Sequence, residues 1–179
     1  LLIVPIIASS GLLIPKTSSR AITSPSGTAD TMSVLAPTAF KSEELKKIVK
    51  KTKGAIVWGG SLNIAPADDL FMRVEYSLQI NPQAQMMASI MAKKIAVGVD
   101  FSVLDIPVGR GVKVENIEEA QALGRGFVEL GQKFGIKVEC GITYAEQPVG
   151  HTVGPALEAR EALEALEGHG PTSLVEKSD

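Results

Sequence analysis

The chain has 179 residues, of which 45% are hydrophobic and 21% charged, and its formal net charge is −2. This balance is typical of a globular protein with a sizeable core, and it gives no reason to expect a nucleic acid or a membrane surface as a partner. One cysteine and two histidines exclude an internal disulfide and a zinc site built from such ligands. The single cysteine also favours a reducing, cytoplasmic location.

The first element predicted is a buried helix in the apolar run 1–14, which is too short to span a bilayer. Gly11 and Pro15 predict a turn after it. Because the run begins without a methionine or a basic flank, we expect the chain to be a fragment of a longer protein.

A hydroxyl-rich loop is predicted next, over residues 16–28, with Arg20 as a guanidinium among serine and threonine side chains. Thr28 is the predicted N-cap of a helix that ends near Pro37. Hydroxyl groups ahead of a helix N-terminus provide O–H and N–H donors and the positive end of the helix dipole. The loop is therefore predicted to bind phosphate or another anion, and the alternative is a solvated linker.

The rest of the chain alternates between helical and strand patterns. In order, the sequence predicts a helix over 43–51 capped by Ser42, a strand over 55–58, a loop over 61–70 and a segment 71–78 of unclear structure. A helix over 83–97, with Asn81 as N-cap, and a strand over 101–108 follow. The last elements are a helix from Asn116 to about Phe134 with a capping box to Glu119, a strand over 136–143 and a helix over 155–166. Strands that alternate with long helices predict an α/β fold with a parallel sheet. Ligands bind beyond the carboxyl ends of such strands, where the predicted loop 109–113 lies.

The predicted helix 83–97 carries an apolar stripe with two polar residues in it. Met86, Ser89, Ile90 and Lys93 have the spacing of one helix face, whereas Lys94 points about 100° away. Ser89 and Lys93 are therefore candidate functional residues, and the alternative for Lys93 is an exposed surface lysine.

Taken in series, several short stretches resemble the thymidine phosphorylase family, most closely its archaeal branch of AMP phosphorylases. They occur in family order over nearly the whole chain: KTSSRAITS at 16–24, GTADT at 27–31, APADD at 65–69, ASIMAKK at 88–94, DIPVG at 105–109, QPVG at 147–150 and GPALEARE at 154–161.

The resemblance implies the middle part of a larger enzyme, a pentosyltransferase with an α/β domain, a smaller helical lobe and an active site in the cleft between them. Residues 1–65 and 99–179 would belong to the α/β domain, and residues 66–98 to the helical lobe. The family's phosphate loop with its lysine and serine would precede Leu1, so the fragment alone is expected to be inactive.

The resemblance also implies the reaction, in which inorganic phosphate displaces adenine from AMP and gives ribose 1,5-bisphosphate. Lys93 is an implied catalytic residue, and so is Asn81, at the position where the family has an aspartate that protonates the base. Lys113 would contact the 5′-phosphate at a position where bacterial relatives have an aromatic residue. The implied substrate contacts, phosphate ligands among them, are Ser18, Ser19, Arg20, Ala21, Ile22, Thr23, Ser24, Thr28, Ser89 and Lys113.

Two other functions stay open at this point, thymidine-type nucleoside phosphorolysis and a non-catalytic module that binds phosphate. The expected partners are AMP or another nucleotide or nucleoside, inorganic phosphate and further copies of the chain in a homo-oligomer. Neither a metal nor an organic cofactor is implied.

Overall fold

The computed structural model describes residues 1–21, 24–80 and 82–176. Its helices and strands are α1 (Ile3–Ser9), β1 (Ile14–Ser18), α2 (Thr28–Leu35), α3 (Ser42–Thr52), β2 (Gly54–Trp58), α4 (Pro66–Leu78), α5 (Gln83–Ala96), β3 (Phe101–Val108), α6 (Ile117–Phe134), β4 (Lys137–Tyr144), α7 (Pro155–Leu166) and α8 (Thr172–Glu176).

The chain forms two compact units, each with a parallel pair of strands. The first unit comprises Leu1–Ile80 with Val149–Asp179, and the second comprises Asn81–Pro148. β1 pairs with β2 in the first unit, and β3 pairs with β4 in the second. In both units helices connect parallel strands, which confirms the predicted α/β class with parallel pairing.

The core of the first unit forms around β2. Ile56 and Val57 are buried there, and α1, α2 and α3 all pack against this strand. Helix α2 also packs against α7, so that elements from both ends of the chain enclose one core. This packing fixes the position at which the connection between β1 and α2 leaves the sheet.

The core of the second unit lies between α6 and the β3–β4 pair, and α5 packs against α6. Its buried side chains are mostly branched or aromatic, as expected for two layers packed face to face. They are Met91, Ile106, Val114, Ala120, Leu123, Phe127, Ile136 and Val138. Met86 and Ile90 of α5 pack against the same cluster, so the apolar part of the predicted stripe faces the core.

The predicted start of the chain is wrong in two respects. The opening helix covers only Ile3–Ser9, and Lys16, Thr17 and Ser18 lie in β1 rather than in a loop. β1 pairs along its whole length with β2, from Ile14 opposite Gly54 to Ser18 opposite Trp58. The backbone hydrogen bonds of this ladder are long-range contacts, and they outweigh the loop preference of a polar stretch.

The N-caps of α2, α3 and α5 each differ by one position from the prediction. At α5 the N-cap is Pro82, where the sequence predicts Asn81 as the cap and Pro82 as the first helical residue. Gly27 is the N-cap of α2 and Thr28 its first residue, and Lys41 rather than Ser42 precedes α3. At α3 the N–H of Lys41 is satisfied by the Glu44 carboxylate, at 3.0 Å. In α2 and α3 the carboxylate of the third helical residue, Asp30 or Glu44, accepts the N–H of the N-cap residue, so the N-cap needs no hydroxyl side chain of its own.

A further helix, α4, covers Pro66–Leu78. The sequence predicts a loop over 61–70 and no clear structure over 71–78, so the loop prediction is wrong from Pro66 onward. Pro66 stands at its first position, and Asp68 and Asp69 lie in its first turn. Both features favour a helix start, because proline needs no N–H partner there and carboxylates match the helix dipole.

The second half of the chain follows the prediction closely. β3 covers Phe101–Val108 and α7 covers Pro155–Leu166, and the Asn116 side chain accepts the N–H of Glu119 at 2.8 Å. The assignment of residues 66–98 to a helical lobe stays a prediction.

Candidate functional site

The connection of residues 19–27, here called the β1–α2 loop, is closed at its base by one carboxylate. Oδ2 of Asp30 accepts the N–H of Ala21 at 2.8 Å and the N–H of Gly27 at 3.0 Å. A Cβ at Gly27 would lie only 2.7 Å from the carbonyl oxygen of Ser19, so only glycine allows this approach. The two ends of the loop are therefore held together by Asp30.

Arg20 is exposed in this loop, and its guanidinium group stacks on Trp58. Its guanidinium carbon is 4.7 Å from the ring centroid. Trp58 is the last residue of β2 and lies opposite Ser18 in the ladder, so the sheet fixes the backbone from which the ring projects. Stacking uses the flat face of the guanidinium, whereas the N–H groups at its edge are the donors for a phosphate or carboxylate.

Most of the predicted substrate contacts of the first unit lie in this loop or in the residues next to it. Ser18 ends β1, Ser19, Arg20, Ala21 and Ser24 lie in the loop, and Thr28 begins α2. The hydroxyl groups of Ser18 and Ser24 each contact a backbone carbonyl nearby, at 3.1 Å. Ile22 and Thr23 lie outside the described residues. The arrangement provides hydroxyl groups, a guanidinium and a helix N-terminus, which are donors suited to an anion.

In the second unit, Ser89 and Lys93 form a pair on α5. Nζ of Lys93 donates to Oγ of Ser89 at 2.9 Å, and Ser89 is buried with 9% exposure. This is the i, i+4 contact that their spacing predicts on one helix face. Asn81, the predicted proton-donor position, lies outside the described residues.

The loop after β3 brings Lys113 to the same face of α5. A Cβ at Gly109 would collide with the backbone of Ala145, and Gly111 has a φ of 75°, so both positions require glycine. The loop is held further by the backbone N–H of Arg110, which donates to the Glu146 carboxylate at 3.3 Å. The Arg110 side chain is 95% exposed, so its own pair with Glu146, at 3.4 Å, contributes little to the position of the loop. Nζ of Lys113 then lies 4.0 Å from the sulfur of Met86. The structure thus brings Lys113 to the stripe that also carries Ser89 and Lys93.

A groove of about 480 Å³ lies between α6 and β4 and contains none of the predicted site residues. Cys140 lines it, and burial raises the pKa of the Cys140 thiol. A raised pKa leaves less thiolate at neutral pH, which argues against a nucleophilic cysteine.

The described part of the chain contains no group of three metal-ligating side chains. Within the same part, every helix is too short or too polar to cross a membrane.

Three residues that organise the first unit were not assigned a role from the sequence: Asp30, Thr31 and Glu158. Thr31 is buried, and its hydroxyl group donates to Oε2 of Glu158 at 3.0 Å. Asp30 could have been found from its position three residues after Gly27, which is the capping-box spacing. Thr31 and Glu158 are 127 positions apart in the sequence, so no local sequence pattern predicts their contact.

Comparison with known proteins gives a consistent result over the whole chain. The profile of the "Glycosyl transferase family, a/b domain" matches residues 1–177. AMP phosphorylase of Methanosarcina barkeri is 60% identical over 179 residues, AMP phosphorylase of Thermococcus sibiricus 58% over 179 residues, and AMP phosphorylase of Methanococcus maripaludis 57% over 180 residues. Each alignment covers 99% of this chain and 35–36% of the relative, so the chain spans about a third of their length. The chain belongs to the glycosyl transferase family, and it matches that family's α/β domain.

Proposed function

We propose that the protein containing this chain catalyses the phosphorolysis of nucleoside 5′-monophosphates such as AMP, giving the free base and ribose 1,5-bisphosphate. The observation that carries the proposal is the β1–α2 loop, in which Asp30 holds the backbone closed beneath a set of hydroxyl groups and Arg20. Relatives 57–60% identical over 99% of the chain bear the name AMP phosphorylase, which supports this substrate.

The reaction requires an anionic nucleophile to be held in position at a sugar carbon. An oxygen of inorganic phosphate forms a bond to C1′, the bond from C1′ to the base nitrogen breaks, and the bonding electrons leave with the base. We assign the phosphate to Ser18, Ser19, Arg20, Ser24 and Thr28. Hydrogen bonds from these donors would fix the orientation of the phosphate and remove the entropic cost of a bimolecular encounter.

The base must be stabilised as it takes up the bonding electrons, and we assign this task to Ser89 and Lys93. An ammonium group that already donates to a buried hydroxyl is preorganised, so little rearrangement is needed when negative charge develops on the base. A proton finally reaches the base and neutralises it, which balances the proton that hydrogen phosphate gives up when its oxygen bonds to C1′. Asn81 stands at the position of the family's acid, and an amide cannot supply that proton at neutral pH.

Lys113 is proposed to select nucleotides over nucleosides. Because its ammonium group reaches the stripe of α5, a 5′-phosphate bound there would gain a charged hydrogen bond that a nucleoside cannot make. We expect Lys113→Met in the full-length protein to raise KM for AMP about tenfold and to leave nucleoside turnover unchanged. The measurement is steady-state phosphorolysis of AMP and of thymidine at saturating phosphate.

Arg110→Met is the matched control, because it removes a cation from the same loop that is paired with Glu146. Greater turnover of thymidine than of AMP by the wild type would replace the proposal with nucleoside phosphorolysis. Binding of phosphate without turnover of either substrate would indicate that the protein is a non-catalytic phosphate-binding module. We also propose that the protein is cytoplasmic and forms a homo-oligomer.

A further inference from the structure

Helix α7 carries two glutamates that each accept two hydrogen bonds, and the two differ in what they hold. Glu161 accepts the N–H of His151 at 2.8 Å and the hydroxyl of Thr152 at 3.0 Å, both from the segment before its own helix. Glu158 accepts the N–H of Gly154 at 3.0 Å from that same segment. Its other oxygen accepts the hydroxyl of Thr31 at 3.0 Å, from α2.

The hydroxyl of Thr31 connects Glu158 to the β1–α2 loop. Oγ of Ser26 lies 2.8 Å from Oγ1 of Thr31, and Thr31 has only 2% exposure. A hydroxyl has one proton, and a carboxylate only accepts, so the Thr31 proton lies toward Glu158 and the Thr31 oxygen accepts the proton of Ser26. The carbonyl of Gly27 is a competing acceptor for both hydroxyl groups, and in each case it is the more distant one. It lies 3.2 Å from Oγ1 of Thr31 against 3.0 Å for the charged Glu158 carboxylate, and 3.3 Å from Oγ of Ser26 against 2.8 Å for the Thr31 oxygen. The donors therefore run from Ser26 to Thr31 to Glu158.

This direction determines the role of Ser26. Its proton is directed toward the protein interior, so Ser26 anchors the loop instead of donating to an anion above it. Ser26 directly precedes Gly27, which packs against the backbone of Ser19 and donates to Asp30. The second half of the loop is thus held at two adjacent residues, by Asp30 from α2 and by Glu158 from α7.

We infer that Glu158, acting through Thr31 and Ser26, is a positioning residue that sets the geometry of the phosphate-binding loop. The inference rests on the proposed function, since it assigns the loop's phosphate as the group whose binding depends on Glu158. A carboxylate cannot donate a hydrogen bond to phosphate, so its contribution is the placement of the loop. The effect belongs to phosphate binding and leaves base stabilisation on α5 untouched.

The test compares two threonines that make the same bond. Thr31→Val and Thr152→Val each remove a hydroxyl that donates to Oε2 of a glutamate of α7 at 3.0 Å, and only Thr31 continues to the loop. In the full-length protein we expect Thr31→Val to raise KM for inorganic phosphate about tenfold with little change in kcat, because the lost bond involves a charged acceptor. Thr31→Ser, which keeps the hydroxyl, should restore the wild-type KM, and Thr152→Val should leave it unchanged.

Ser26→Ala provides a second variant in case Thr31→Val does not fold, because it breaks the same chain of bonds outside the buried pair. Its KM for phosphate should also rise, with kcat retained. Equal KM values for Thr31→Val, Thr152→Val and the wild type would overturn the inference, and so would an equal rise in both valine variants. Absence of phosphate-dependent turnover in the wild type would instead overturn the proposed function.

Discussion

The β1–α2 loop and the Ser89–Lys93 pair of α5 both combine a cation with hydroxyl chemistry, but contacts of very different range determine their geometry. On α5, Lys93 and Ser89 are four residues apart, and one helical turn is enough to bring them together. In the loop, Ser26 is held through Thr31 by Glu158, which is 127 positions away from Thr31. A substitution on α5 should therefore act where it is made, whereas the loop should also respond to changes on α7.

The largest expected effect comes from Lys93, because its ammonium group is assigned to the negative charge that develops on the base. Lys93→Met in the full-length protein should lower kcat for AMP phosphorolysis by about 10²–10³-fold, the usual loss when a preorganised donor to developing charge is removed. KM for phosphate should stay near the wild-type value, since Lys93 is assigned to the base. Steady-state kinetics with varied AMP and varied phosphate separate the two parameters.

Lys94→Met is the matched control for Lys93, as the next lysine on the same helix and about 100° away from the stripe. It should retain wild-type kcat. Equal losses in the two variants would show that α5 needs its lysines for stability alone and would remove the base-stabilising role.

The substitution Asn81→Asp tests whether the protein lacks a general acid that protonates the base. Asn81→Asp should raise kcat on AMP by about 10²-fold and add an acidic limb to its pH profile, because general acid catalysis contributes at least that much and an amide cannot provide it. The measurement is kcat as a function of pH for both proteins. Unchanged kcat and an unchanged profile would remove Asn81 from the protonation step and direct the search for the acid to Asp68 and Asp69.

The comparison also explains which parts of the molecule were predictable. The pairing of Ser89 with Lys93, the cap at Asn116 and the boundaries of α7 follow from spacing within one element, and the sequence predicts all three. Residues 16–18 have the composition of a loop and become a strand only because β2 pairs with them. The partner of Thr31 could not be predicted for the same reason, since packing of α2 against α7 creates the contact.

The short stretches that carry the family resemblance thus contain residues of two kinds, proposed ligands and supporting residues. The stretch GTADT contains Thr28, a proposed phosphate ligand, and also Asp30 and Thr31, which hold the loop. The stretch GPALEARE contains no proposed ligand, yet Glu158 and Glu161 within it fix the segment before α7. A resemblance identifies such stretches, and only the contacts separate ligands from supports.

The most direct test of the central claim, that the β1–α2 loop holds the phosphate of the reaction, is KM for inorganic phosphate in Thr28→Val. Loss of one hydrogen bond to a charged ligand should weaken phosphate binding by about 1–3 kcal/mol, roughly 5- to 150-fold in KM, with KM for AMP unchanged. Ser33→Ala is the control, because Ser33 lies on the same helix and bonds only to a helix carbonyl in the described structure. A wild-type KM for phosphate in Thr28→Val, or an equal rise in Ser33→Ala, would contradict the account.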